Sequence, residues 1–137
     1  MREHSPTVSD VVREVERRIL NHFMDLLILV SLDGYKGQVS GYDVIKYLHR
    51  KYNFLPSPGT VYSCLYDMER RGLLKGYMDG RRRVYSLTRQ GAETVRAILD
   101  GRDRILNFTA MILQKNSSKA ALQPSTLFPL SELHAEP

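Results

Sequence analysis

Residues 8–114 read as helices interrupted once by a β-hairpin, which makes the chain mainly α with a small β-hairpin. Three features carry that reading. Two amphipathic stretches, residues 40–52 and 57–72, are joined by the short turn Asn53-Phe54-Leu55-Pro56. Asp79-Gly80 separates two short strand-like runs, a two-residue hairpin signal. Apolar pairs then recur every seven residues at Ile98-Leu99, Ile105-Leu106 and Ile112-Leu113. Three helices followed by a basic hairpin make a winged helix-turn-helix, here continued by a long C-terminal helix suited to dimerisation.

The elements follow in order. Residues 1–7 contain Ser5-Pro6 and read as a loose arm. From Ser9 the spacing of Val8, Val11, Val12, Val15 and Ile19 is helical, with Arg13, Glu14, Glu16 and Arg17 on the wet side. Whether Asn21-His22 ends this helix or continues it stays open. Phe23 to Leu32 is apolar almost all round and is expected to be a buried helix, ended by Asp33-Gly34. Gly37 to Val39 should be a short extended or turning link. Ser40-Gly41-Tyr42-Asp43 is a capping-box variant. The helix it opens buries Val44, Ile45, Leu48 and Tyr52 and turns Lys46, His49, Arg50 and Lys51 to water.

The stretch from Ser57 to Gly72 has a marked start and stop. Ser57 is a suitable N-cap, Pro58 fits the first helical position, and Gly72 suits a left-handed C-terminal residue. Val61, Cys64, Leu65 and Met68 share one side. Gly59, Ser63, Tyr66 and Arg70 fall opposite, with Thr60, Tyr62 and Asp67 on the flanks. That second face suits a helix presented to nucleic acid; its plainer reading is an ordinary amphipathic surface helix. Charge favours the former. Residues 36–91 hold eleven basic and four acidic side chains, a net of +7, whereas the whole chain is only +5. A localised positive field attracts phosphate backbones, although a solvated basic face is the commoner origin of high pI.

Strands are expected over Leu73–Met78 and Arg82–Leu87, in a register that sets Tyr77 against Arg82 and Leu74 against Tyr85. The tip carries Arg81, Arg82 and Arg83. Thr88 caps a helix expected to run unbroken to residue 114. Its stripe of Val95, Ile98, Leu99, Ile105, Leu106, Ile112 and Leu113, broadened by Phe108, calls for a covering helix. It folds back on the first helix, joins a second copy, or does both; we favour both, in a homodimer seam. Residues 115–137 lack a period and read as a flexible tail, with Leu127 to Leu130 as a candidate short partner-binding element. The expected division is an N-terminal arm and helix over 1–22, a winged-helix domain over 23–88, a dimerisation helix over 89–114 and the tail.

Other classes are disfavoured. Catalysis is not expected, because His4, His22, His49 and His134 are scattered, no metal-ligand spacing occurs, and no phosphate-cradling glycine loop is found. No cofactor or metal is implied. No run approaches the ~20 apolar residues of a membrane span, so no membrane partner is expected. The single cysteine, Cys64, fits a reducing cytoplasm and lies on the apolar side of its helix, core in preference to redox switch.

At this point a resemblance enters. MDLLILVSL from Met24, SGYDVIKYL from Ser40, PSPGTVYSCLYDMERRGLL from Pro56 and RRRVYSLTRQGAETV from Arg81 together resemble the PadR-like family of winged-helix transcriptional regulators. The resemblance covers Met24 to Leu99 and rests chiefly on the third segment. It implies a dimeric, mostly repressing DNA-binding protein with a C-terminal dimerisation helix. In some members planar compounds release the DNA; here the effector is unknown, the hairpin loop is short, and the chain lacks tryptophan. The expected contacts are Ser57, Gly59, Thr60, Ser63 and Tyr66 at base edges or nearby phosphates of double-stranded DNA. Tyr42 and Tyr62 reach phosphate or are partly buried. Arg81, Arg82 and Arg83 meet phosphates or the minor groove, and Lys36, Lys46, Arg50 and Arg70 add nonspecific attraction. The competing reading is a winged-helix module that binds protein without reading DNA sequence.

Overall fold

The computed structural model describes residues 5–115. Beyond Lys115, the expected tail and its Leu127–Leu130 segment lie outside the described residues. The described elements are α1 (Val8–His22), α2 (Met24–Ser31), β1 (Val39–Ser40), α3 (Gly41–Tyr52), α4 (Pro58–Arg70), β2 (Leu74–Asp79), β3 (Arg82–Leu87), α5 (Arg89–Asp100) and α6 (Arg102–Leu113). Among the described residues, those up to Leu99 form one compact unit and those from Asp100 a second. This is the mainly α, winged helix-turn-helix architecture expected, with differences in detail.

α1 is a helix in its own right, opened by a capping box in which Thr7 Oγ1 accepts from Asp10 N at 3.1 Å and the Asp10 carboxylate accepts from Thr7 N at 3.3 Å. Its apolar stripe of Val8, Val11, Val12, Val15 and Ile19 stays exposed, while Leu20 packs on the core. Phe23 (φ −104°, ψ 27°) separates α1 from α2 and is 44% exposed, so it does not belong to a buried helix as expected. α2 buries Met24, Ile28 and Leu29 on one side, and Val30 remains exposed on another.

The link before α3 becomes a strand. β1 pairs antiparallel with β3 through Val39–Tyr85 and Ser40–Val84, giving the order β1-β3-β2. Hairpin pairing differs from expectation: Tyr77 faces Val84, Leu74 faces Leu87, and Asp79 faces Arg82. The two-residue turn is therefore Gly80-Arg81, with Gly80 at φ 66° in its first central position, where glycine is cheapest. That shift brings the apolar Leu74 and Leu87 together at the base of the hairpin.

The core gathers Met24, Ile28, Leu29, Leu48, Val61, Leu65, Met68, Leu74, Tyr85 and Val95 from α2 to α5. Each fully buried aliphatic side chain contributes about 1.5–3 kcal/mol. Cys64 is half-buried beside Met68, and burial pushes its thiol up to about 11, which suits a core residue and not a reactive thiolate. α5 is docked at its start: Thr88 Oγ1 accepts from Gly91 N at 2.9 Å and lies 2.6 Å from the Gly72 carbonyl oxygen. A Cβ on Gly91 would lie 2.2 Å from the Leu73 carbonyl oxygen, so only glycine permits that approach.

Val95 is 0% exposed, inside the core of its own unit, and so is not available to a seam between subunits. Ile98 and Leu99 pack partly against the same core. The helix expected to run unbroken to residue 114 divides at Gly101, which caps α6 (φ −92°, ψ 5°). Glycine inside a helix costs about 1 kcal/mol relative to alanine, and a heptad count does not register that cost. On α6, Ile105, Leu106, Phe108, Met111, Ile112 and Leu113 are all exposed. Among the described residues no helix is long and apolar enough to cross a membrane.

Candidate nucleic-acid interface

α4 owes its position to local chemistry at both ends. Ser57 is extended (φ −65°, ψ 144°), its hydroxyl accepts from Thr60 N at 3.2 Å, and the Ser57 and Thr60 hydroxyls lie 2.7 Å apart. At the far end Gly72 (φ 80°) donates its N–H to Glu69 O at 3.0 Å, and Leu73 N–H reaches Met68 O at 2.9 Å, a Schellman stop. Val61, Leu65 and Met68 are pulled into the core, which leaves Gly59, Thr60, Tyr62, Ser63, Tyr66 and Arg70 exposed.

Gly59 has no internal reason to be glycine. Its φ is not positive, and a Cβ built there would meet nothing within 4 Å among the described residues. Gly41, at the start of α3, is the opposite case: a Cβ there would lie 2.2 Å from the Tyr62 ring. The Tyr62 side chain of α4 thus lies over the backbone at the start of α3, 48% exposed. Tyr42 follows Gly41, is 62% exposed, and carries Lys46 Nζ 4.9 Å from its ring centroid. Both tyrosines are therefore partly open to solvent, as a phosphate contact requires. α3 itself is fixed by the Ser40–Asp43 box, whose backbone hydrogen bond from Ser40 holds the Asp43 carboxyl below its ordinary value.

Much of the positive charge here is already committed. Arg70 pairs with Asp67 at 2.7 Å, and Arg71 pairs with Asp67 at 3.2 Å and Asp25 at 3.3 Å. The Arg71 hydrogen bond, then that of Arg70, keeps the Asp67 carboxyl below its usual range. At the hairpin, Arg82 lies 4.0 Å from Asp79, whereas Arg83 is turned back onto Glu69 of α4. Arg81 at the turn, with Lys36, Lys46, Arg50 and Lys75, has no ion-pair partner among the described residues. The sequence marks Glu69, with Asp67, only as a charge against the basic trend, expected to face away from phosphate; it does not single out Gly41 or Gly76, whose roles depend on contacts between elements far apart in the chain. Among the described residues no group of acidic, histidine or cysteine side chains is placed to hold a metal.

Comparison with known proteins agrees with this architecture. Residues 28–97 match the model of the family described as the transcriptional regulator PadR-like family. A PadR family transcription regulator from Clostridium difficile is 28% identical, with a TM-score of 0.57 over 67% of this chain and 99% of its own. A PadR family regulator from Eggerthella lenta, 23% identical, has a TM-score of 0.59 over 80% of this chain and 94% of its own. A transcriptional regulator from Clostridium thermocellum, 20% identical, shares the fold at a TM-score of 0.59 over 71% of this chain and 96% of its own. No curated protein matches the sequence. With the family match spanning more than half of its residues, the chain belongs to the PadR-like family of transcriptional regulators.

Proposed function

We propose that the protein is a sequence-specific double-stranded DNA-binding repressor that works as a homodimer on an inverted-repeat operator. The observation that carries this reading is the start of α4. Gly59 leaves open space beside the Ser57 and Thr60 hydroxyls, on a helix end whose dipole favours phosphate. Among the described residues no neighbour uses that space, and a DNA backbone or base edge would.

On this reading α4 enters the major groove, with Ser57, Gly59, Thr60, Ser63 and Tyr66 against base edges or adjacent phosphates. Tyr42 and Tyr62 donate their hydroxyls to phosphate. Arg81, Arg82 and Arg83 flank the site on the hairpin, and Arg70 adds positive charge once it leaves Asp67. The apolar stripes of α1 and α6, exposed in the single chain, supply the subunit contact through Ile105, Leu106, Ile112 and Leu113, with Ile98 and Leu99 at the margin. The division into arm, winged-helix domain, dimerisation segment and tail serves that assembly.

Salt dependence tests the reading. Binding through several phosphate contacts weakens linearly on a log–log plot, by about 0.9 per phosphate neutralised. Replacing Arg81, Arg82 and Arg83 together by Ala should flatten the slope by roughly two to three units per subunit. A module that binds protein only would show no duplex affinity to titrate.

A further inference from the structure

We infer that Glu69 competes with DNA phosphate for Arg83, so that the recognition helix holds back a charge which the hairpin releases only on binding. The inference rests on the DNA-binding reading above and specifies how one of its contacts is regulated.

The arrangement is built, not incidental. Arg83 lies on β3 and Glu69 in the last turn of α4, fourteen positions apart, and their side chains are 43% and 25% exposed. They meet over the backbone of Gly76 in β2. A Cβ on Gly76 would lie 2.8 Å from Glu69 Oε2 and 2.9 Å from Arg83 Nη2, so any larger residue would displace the pair. The guanidinium also sits 5.8 Å from the Tyr85 ring centroid, and Tyr85 is buried in the core. Three elements thus converge to seat one arginine: α4 supplies the carboxylate, β2 the open backbone, and β3 the ring. The hydrogen bond to Glu69 keeps the Arg83 charge in place, raising its affinity for the proton.

Two neighbours behave differently. Arg81 has no acidic partner among the described residues, and Arg82 has only Asp79 at 4.0 Å, at an exposed hairpin end. Arg83 alone of the three is anchored on the recognition helix. A phosphate can recruit it only by displacing a half-buried carboxylate, which lowers affinity for every duplex equally. Such a brake reduces nonspecific residence without touching base recognition.

The test is a double-mutant cycle with purified full-length protein on a duplex obtained by selection, across a range of salt. Glu69→Gln keeps the shape and removes the charge. It should tighten binding by roughly two- to fivefold per half-site, the range for an exposed-to-intermediate ion pair. Arg83→Ala should lower the salt slope by about 0.9 per subunit. In the Arg83→Ala background, Glu69→Gln should have no further effect beyond twofold. If Glu69→Gln weakens binding, the pair is a structural strut and the inference fails. If its gain survives intact in the Arg83→Ala background, Glu69 merely repels phosphate at large, and the inference also fails. Thermal melting of each variant identifies any that does not fold, and Glu69→Ala, which also removes the charge, then replaces Glu69→Gln and should tighten binding to the same extent. If the native protein itself ignores duplex DNA, the function reading falls and this inference with it.

Discussion

Replacing Gly59 by Ala should make the protein more stable and poorer at holding DNA. The two effects have separate origins. Among the described residues the added methyl group meets no atom within 4 Å, and Gly59 takes no positive φ, so no strain offsets the helix propensity gained. Gly-to-Ala in a helix is worth roughly 0.5–1 kcal/mol, and less at the second helical position, so about 0.5 kcal/mol is the expected gain. For a domain of this size that raises Tm by about 2–4 °C. On the proposed docking of α4, the same methyl would occupy the approach path of a base edge or phosphate. Overpacking a close-fitting contact costs about 1–3 kcal/mol, or roughly 5- to 150-fold in Kd per half-site. The assay is thermal unfolding of both proteins, followed by fluorescence anisotropy on a selected duplex at fixed salt. A variant that is stabilised and binds as tightly as the native protein would refute the argument, since nothing would then come close to the start of α4.

Four further substitutions probe other links. Gly41→Ala places a Cβ 2.2 Å from the Tyr62 ring, so the ring must swing out; circular-dichroism melts should show a loss of about 1–3 kcal/mol, with weaker duplex binding. Asp43→Asn removes a carboxyl held below its ordinary value of 3.8 by the Ser40 backbone. A depressed carboxyl stabilises above its ordinary value of 3.8 and loses that contribution as pH falls through its lower folded value, so urea curves should separate the proteins at pH 7 and draw together in acid. Leu106→Glu, on the exposed face of α6, should shift sedimentation toward the monomer. Val95→Ala, in the core, should cost about 2 kcal/mol of stability and leave the sedimentation of folded protein unchanged.

The legible parts of the molecule are those whose cause is local. Ser40 with Asp43, Ser57 with Pro58, and Gly72 mark helix ends through bonds within four residues, and each falls where the sequence places it. The apolar side of α4 was legible from periodicity alone. Parts that depend on distant partners were not. β1 is two residues long and exists as a strand because β3 lies beside it. The hairpin turn slid one position, since Asp79-Gly80 and Gly80-Arg81 both place a glycine in the turn and only cross-strand packing chooses between them. Val95 belongs to the heptad stripe by spacing and to the core by tertiary contact. At the interface, the residue types facing outward from α4 could be read, but Tyr62 over Gly41 and Arg83 on Glu69 could not. Such contacts leave no periodic trace.

Operator reading as proposed requires two copies of α4 presented together to one duplex. Selection of bound sequences from random duplexes at physiological salt tests this most directly. The prediction is an enriched motif with two-fold symmetry, its half-sites centred about 34 Å apart, one turn of the double helix. Recovery of no motif, or of a single asymmetric half-site bound by a monomer, would contradict it.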